Sequence, residues 1–326
     1  MAYRNTLLQN NIYVDSVNGN DATAVKYNLL HPYRTLLAAL AVANSGDTIV
    51  LSTGTHIGGF QNLFKDGIIY NCLPGSYIDQ AFFQVNTGET CTVVGEGIFH
   101  SSGTKIVESH NLGTFYMEAL DLKGIQNTVT YTAGIVQLHV RDIDTYNQVA
   151  IAIVDTIANS PTNRLEVYCR DLKSNSFFGG TNNTINNVSV GNGLDATVKI
   201  VARYIYTSPN STANAIALDN SGVPFARTTI EITAEEVILG NFTLTTEPII
   251  TAFFCDNTKY ILNIKNITAV GTSRPCLYTW GPVNNCIIDF NGNAVGDSAA
   301  PIQITSSGGS IINLDGTFII DAIEEA

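Results

Sequence analysis

Three short segments share an aspartate followed by an aliphatic residue: ALDLK at 119–123, VRDID at 140–144 and CRDLK at 169–173. Each carries an aspartate at its centre: Asp121, Asp142 and Asp171. Placed side by side on neighbouring strands, such residues stand about 5 Å apart. Carboxylate oxygens at that spacing suit a Ca²⁺ ion. They also suit an acid/base pair, since glycosidase carboxylates stand roughly 5 to 9.5 Å apart. The simpler reading is structural. Aspartates favour bends, where they bond nearby backbone N–H groups. Arg141 and Arg170 immediately precede two of the three, and Lys123 and Lys173 follow two residues after Asp121 and Asp171. Adjacent opposite charges make a seam that neutralises itself, so no residue is assigned a catalytic or metal-binding role. If the chain were an enzyme, these aspartates would be the candidates.

Other chemistry is sparse. The histidines, His31, His56, His100, His110 and His139, show no metal-ligand spacing. Six cysteines form no CxxC pair and read as reduced core residues. No nucleophile elbow, P-loop or dinucleotide fingerprint stands in a credible context, and no cofactor is expected.

The elements that position the aspartates emerge when strand-like segments are stacked. FYMEALDL begins at Phe115, VQLHVRDI at Val136, LEVYCRDL at Leu165, VKIVARYI at Val198, IEITAEEV at Ile230 and YILNIKNI at Tyr260. Weaker copies begin at Thr90, Cys286 and Ser310. Counting each first residue as zero, offsets two and four are apolar and offsets one and three mostly polar, the period of a strand. Offset seven is apolar again, so the chain bends between four and seven. Offset six holds the aspartates. A second strand signal precedes many copies, as at Ile151–Ile153 and Ile216–Leu218. A serial unit of two or three short strands predicts an all-β fold, a parallel β-helix of about eleven coils.

One helix pattern interrupts this. Tyr33, Leu36, Leu37, Leu40 and Ala41 fall on one apolar face, with Pro32 in a first turn and Asn44-Ser45-Gly46 as the stop. A solenoid exposes an apolar cross-section at its end, so a short N-terminal capping helix is expected there. The organisation reads as an extension and entry strand over 1–31, the capping helix over 32–46 and the β-helix over 47–326.

Charged residues are only 13% of the chain, and the net charge is -12. That charge disfavours nucleic acid and anionic membrane surfaces as partners, and no apolar run is long enough for membrane insertion. The N-terminus lacks the basic start and apolar core of an export signal.

The segment IYVDSVNGND…HPYRTLLAALAVANSGDTIVLSTGTH, Ile12 to His56, resembles the N-terminal pattern of the pectin-lyase-like right-handed parallel β-helix superfamily. The pattern's common tyrosine is replaced here by His56, and the glycine often found after its aspartate is missing. The resemblance implies a right-handed helix. It also implies three functional classes: virion proteins of phage, including tailspikes; polysaccharide lyases and hydrolases; and surface adhesins. The expectation is a non-catalytic structural or host-recognition component of a phage virion. It would be made in the host cytoplasm and partnered by itself, by other virion proteins and by a glycan. Offset one of the last three copies, Ile261, Ile287 and Ile311, forms an outward apolar stripe if register holds. Such a stripe would serve as the interface of a side-by-side homotrimer. A polysaccharide lyase or glycoside hydrolase acting through the aspartates is the alternative, and a cell-surface adhesin is another.

Overall fold

A computed structural model of the chain describes residues 10–103, 105–109, 112–125, 128–146, 149–155, 163–174, 185–189, 196–207, 216–219, 229–239, 250–253, 259–269, 277–279, 283–284, 287–296, 302–303, 306–307, 311–316 and 318–320. The fold is all-β and dominated by one 16-stranded sheet. Its main path runs through Asn11–Val14, Thr48–Leu51, Ile68–Cys72, Thr90–Gly95, Thr114–Gly124, Ile135–Thr145, Asn163–Ser174, Ala196–Thr207, Thr229–Leu239, Lys259–Ala269, Ile287–Gly296 and Ile311–Asp315. Every pairing along it is parallel. A second sheet of nine strands contains Val129–Tyr131, Ile151–Asp155, Ile185–Ser189 and Ile216–Asp219, which lie in sequence between strands of the first. Parallel neighbours need a crossover, and here the crossover passes through the other sheet. The architecture is that of a parallel β-helix.

Burial explains why this sequence adopts it. One file of inward residues runs Ile12, Ile49, Tyr70, Val93, Met117, Leu138, Val167, Ile200, Ile232, Leu262, Phe290. Each is at most 1% exposed. A parallel file opens with Ile68, Cys91 and Phe115 and continues through Val136, Leu165, Val198, Ile230 and Tyr260 to Ile288. Burying one such side chain contributes about 1.5–3 kcal/mol, so each coil is held by its stacked neighbours. A third file, Leu122, Ile143, Leu172, Ile205, Val237 and Ile267, is also fully buried. Between it and the first two, the residue at offset five falls out of the pairing: Ala119 is opposite Val140, and the next pair is Asp121 with Asp142. The same residue is skipped on each strand from Thr114–Gly124 to Lys259–Ala269. This is the expected bend.

The helix Leu36–Val42 is shorter than the sequence predicts. Asp21 accepts the N–H groups of Arg34 and Thr35 and the Thr35 hydroxyl, at 2.8–3.0 Å. That fixes Thr35 as the N-cap, where its Oγ1 accepts the Ala38 N–H at 3.2 Å. Pro32 is thereby left outside the helix, and Tyr33 bridges Val14 instead. Leu36 and Ala39 are buried, Leu37 and Leu40 pack partly against the core, and Ala41 is exposed. The helix rests on Asn11–Val14, Thr48–Leu51 and Gly54–Ile57. Among the described residues, no helix is long and apolar enough to cross a membrane.

Register corrects two alignments. Phe115 is opposite Cys91, not Thr90, and that slip of one residue exchanges the inward and outward positions of the copy. Tyr260 is opposite Ile288, not Cys286: up to Ile264 the strand Ile287–Gly296 pairs two residues further along than the aligned columns, and the register shift between Ile264 and Asn266 reduces this to one. A slip of two residues keeps every side chain on its face but changes its neighbours.

Candidate functional site

The bend brings the three aspartates together. Asp121, Asp142 and Asp171 are direct partners on consecutive strands. The residue before each of the last two is an arginine, and the bend turns it toward the preceding coil. Arg141 donates through Nη2 to both oxygens of Asp121 at 2.8 Å and through Nε to Asp142 at 3.0 Å. Arg170 repeats the geometry one coil on, reaching Asp142 at 2.7 and 3.1 Å and approaching Asp171 at 3.5 Å. Lys123 lies 3.7 Å from Asp121, and Lys173 lies 3.1 Å from Asp171. Four cations thus hold three carboxylates. A Ca²⁺ ion would have to displace guanidinium groups, and a general base would have to give up its charge partners. The arrangement is a zipper between coils.

Beyond Asp171 the zipper ends and the surface opens. Tyr204 and Glu236 succeed Asp171 in the same file. Arg203 reaches Glu235 at 3.3 Å and lies over the Tyr204 ring at 4.9 Å. Beside them runs a trough with a volume of about 690 Å³, parallel to the stacking direction. Its floor is small: Cys169, Ala202, Ala234, Gly292 and Gly316. One wall is Val201, Thr233, Asn263 and Asn291; the other is Arg203, Glu235, Lys265 and Asn293. The floor glycines are required. A Cβ on Gly292 would stand 1.6 Å from the Ile264 carbonyl oxygen, and one on Gly316 would stand 1.7 Å from that of Gly292.

The trough opens here because the wall residues shrink. The same outward file carries His139 and Tyr168 on earlier coils. Those two rings stack at 4.7 Å, and Tyr116 packs on His139 at 5.7 Å. Cys169 sits at the closed end. Burial and the nearby Asp142 and Asp171 charges push its thiol up to about 12, which makes it a poor nucleophile. Sequence reasoning missed the trough. Its signal was the descent from His139 and Tyr168 to Val201, Thr233 and Asn263 above a column of alanines.

The predicted apolar stripe is broken. Ile287 and Ile311 are partners, but Ile261 stands opposite Glu231 and Asp289. Lys259, opposite Ile287, reaches across to Asp289 at 3.8 Å. The three isoleucines therefore share a face as a diagonal interleaved with charge. Ile311 is 53% exposed, while Ile261 and Ile287 are half-buried. Among the described residues, no group of three or more His, Cys, Asp or Glu side chains is placed to hold a metal ion.

No protein-family model, curated protein or solved structure matches the chain.

Proposed function

We propose that the chain is a non-catalytic, host-recognising component of a phage virion. It is a right-handed β-helix of about eleven coils, closed at its N-terminal end by the helix Leu36–Val42 and resembling the pectin-lyase-like superfamily. The observation that carries the non-catalytic reading is the zipper. Asp121 and Asp142 are committed to arginines, Asp171 lies beside Lys173, and Glu235, the acid among the described residues that line the trough, is paired with Arg203. Recognition falls to the trough itself. Its cations are few and Arg203 is paired with Glu235. Its remaining polar groups, Thr233, Asn263, Asn291 and Asn293, offer neutral donors and acceptors at one coil spacing. That pattern favours an uncharged glycan lying along the rod over an acidic one.

Assembly is proposed through the face that carries Ile261, Ile287 and Ile311, as a homotrimer of parallel rods joined to other virion proteins. Sedimentation at micromolar concentration is expected to give three times the chain mass of 35.0 kDa. A glycan array with the wild-type chain tests recognition. Retention of neutral oligosaccharides, abolished by Asn263→Phe, supports the reading. Release of reducing ends or unsaturated products from any glycan would overturn it in favour of a lyase or hydrolase. A strict monomer would remove the trimer.

A further inference from the structure

The third inward file does not begin with an aliphatic residue. It begins with His56, whose neighbour is Ile78 and then Phe99, before Leu122 and the rest follow. His56 is 1% exposed. Its Nε2 lies 2.8 Å from the Ser52 carbonyl oxygen, which fixes Nε2 as the proton-bearing nitrogen. Its Nδ1 is buried and has no hydrogen-bond partner. A neutral imidazole tolerates this, because Nδ1 then carries only a lone pair. A protonated ring does not, because Nδ1 becomes a second donor with nothing to receive it.

The surroundings offer little compensation. The strand Ser76–Asp79 turns Ile78 inward and Asp79 outward, where Asp79 accepts from His100 at 2.7 Å. The helix above the coil, Leu36–Val42, contains no charged residue. Asp15 is the one carboxylate whose charge bears on the ring, and its oxygens are already taken by the N–H groups of Val17 and Asn18 and by the Asn18 amide. Lys26 is held by Asp47, and Arg34 lies beside Asp21.

We propose that His56 is an acid-sensitive latch: its protonation releases the first coil, Thr48–Ile57, and with it the helix that rests there, while the central coils stay closed. This goes beyond the proposed role in the virion and does not depend on it. Burial lowers the affinity of His56 for a proton below that of an exposed imidazole, ordinarily 6.5, against smaller opposing effects from Ser52 and Asp15. The opened coil therefore binds a proton that the closed coil does not. Opening is suppressed above about pH 6.5 and rises by up to tenfold per pH unit as pH falls through that value toward the lowered one. Asp15, whose carboxyl lies below its ordinary range, responds only at more acid pH.

Hydrogen exchange on the full chain at pH 7.5, 6.0 and 5.0, corrected for intrinsic rates, tests this. Peptides spanning 48–57 should open progressively more as pH falls below 6.5, by up to tenfold per pH unit, while peptides spanning 136–145 should not change. His56→Phe and His56→Gln should flatten that response. The second retains a donor for Ser52, which covers the case in which the first fails to fold. An unchanged exchange rate in 48–57 between pH 7.5 and 5.0, or the same pH slope in a folded variant, would overturn the latch.

Discussion

Substituting Asp142 by asparagine separates a structural zipper from a catalytic centre. Asp142 is the middle rung and accepts three charge-assisted bonds, one from Arg141 and two from Arg170. Asparagine keeps one oxygen to accept and loses the charge. Both arginines retain a partner: Arg141 keeps its two bonds to Asp121, and Arg170 keeps Asp171 at 3.5 Å. The arginine side chains are 44% and 49% exposed, so solvent screens each arm. Two screened arms at about 0.5 kcal/mol each predict a loss near 1 kcal/mol. The assay is urea denaturation of wild type, Asp142→Asn, Arg170→Gln and the double variant, closed as a cycle. The expected coupling is about 0.5–1 kcal/mol, shrinking in 1 M salt. No coupling to Arg170, and none to Arg141 in the matching cycle, would refute the zipper. A loss of glycan cleavage with unchanged stability would refute it from the other side.

Three further outcomes follow from the same geometry. Leu138→Ala, within the first inward file, should cost about 2–5 kcal/mol, whereas exposed Glu118→Ala should stay within about 0.5 kcal/mol; denaturant midpoints compare them. Asp47 is buried and accepts from Lys26 at 2.7 Å, Tyr27 at 2.7 Å and the Asn44 N–H at 2.6 Å, so Asp47→Asn should cost about 2–3 kcal/mol. Burial opposes its ionisation but those bonds hold its carboxyl below the ordinary range, so this stabilisation is present above about pH 4 and fades as pH falls further; acid titrations of wild type and variant should converge there. Cys72 and Cys91 are buried, with thiols pushed up to about 12, so a thiol reagent at pH 8 should label them only after unfolding.

Much of the rod was legible because its signal is local. The six segments beginning at Phe115, Val136, Leu165, Val198, Ile230 and Tyr260 stand in one register, residue for residue, as their apolar columns predict. Alternation cannot distinguish a register from one shifted by two, and that is where the reading slipped at Cys286. The two-residue slip before Ile264 leaves the same pattern of faces with different neighbours. The stripe of Ile261, Ile287 and Ile311 failed for that reason. The aspartate column was legible in type and position, and so was its neutralisation, because charge order along the chain set both. The trough was not, because an opening depends on side-chain volume across several coils rather than on polarity within one. The shortened helix turned on Asp21, thirteen residues before the Arg34 N–H that it binds, a distance at which sequence patterns carry no signal.

Methyl-labelled nuclear Overhauser spectroscopy on the Leu, Val and Ile side chains bears most directly on the stacked core. Leu138, Val167, Ile200 and Ile232 are successive rungs of one buried file. The expected result is a chain of strong contacts, Leu138 to Val167, Val167 to Ile200 and Ile200 to Ile232, with none skipping a rung. Absence of that series, or contacts that join Leu138 directly to Ile232, would contradict the fold and every role assigned to its outer face.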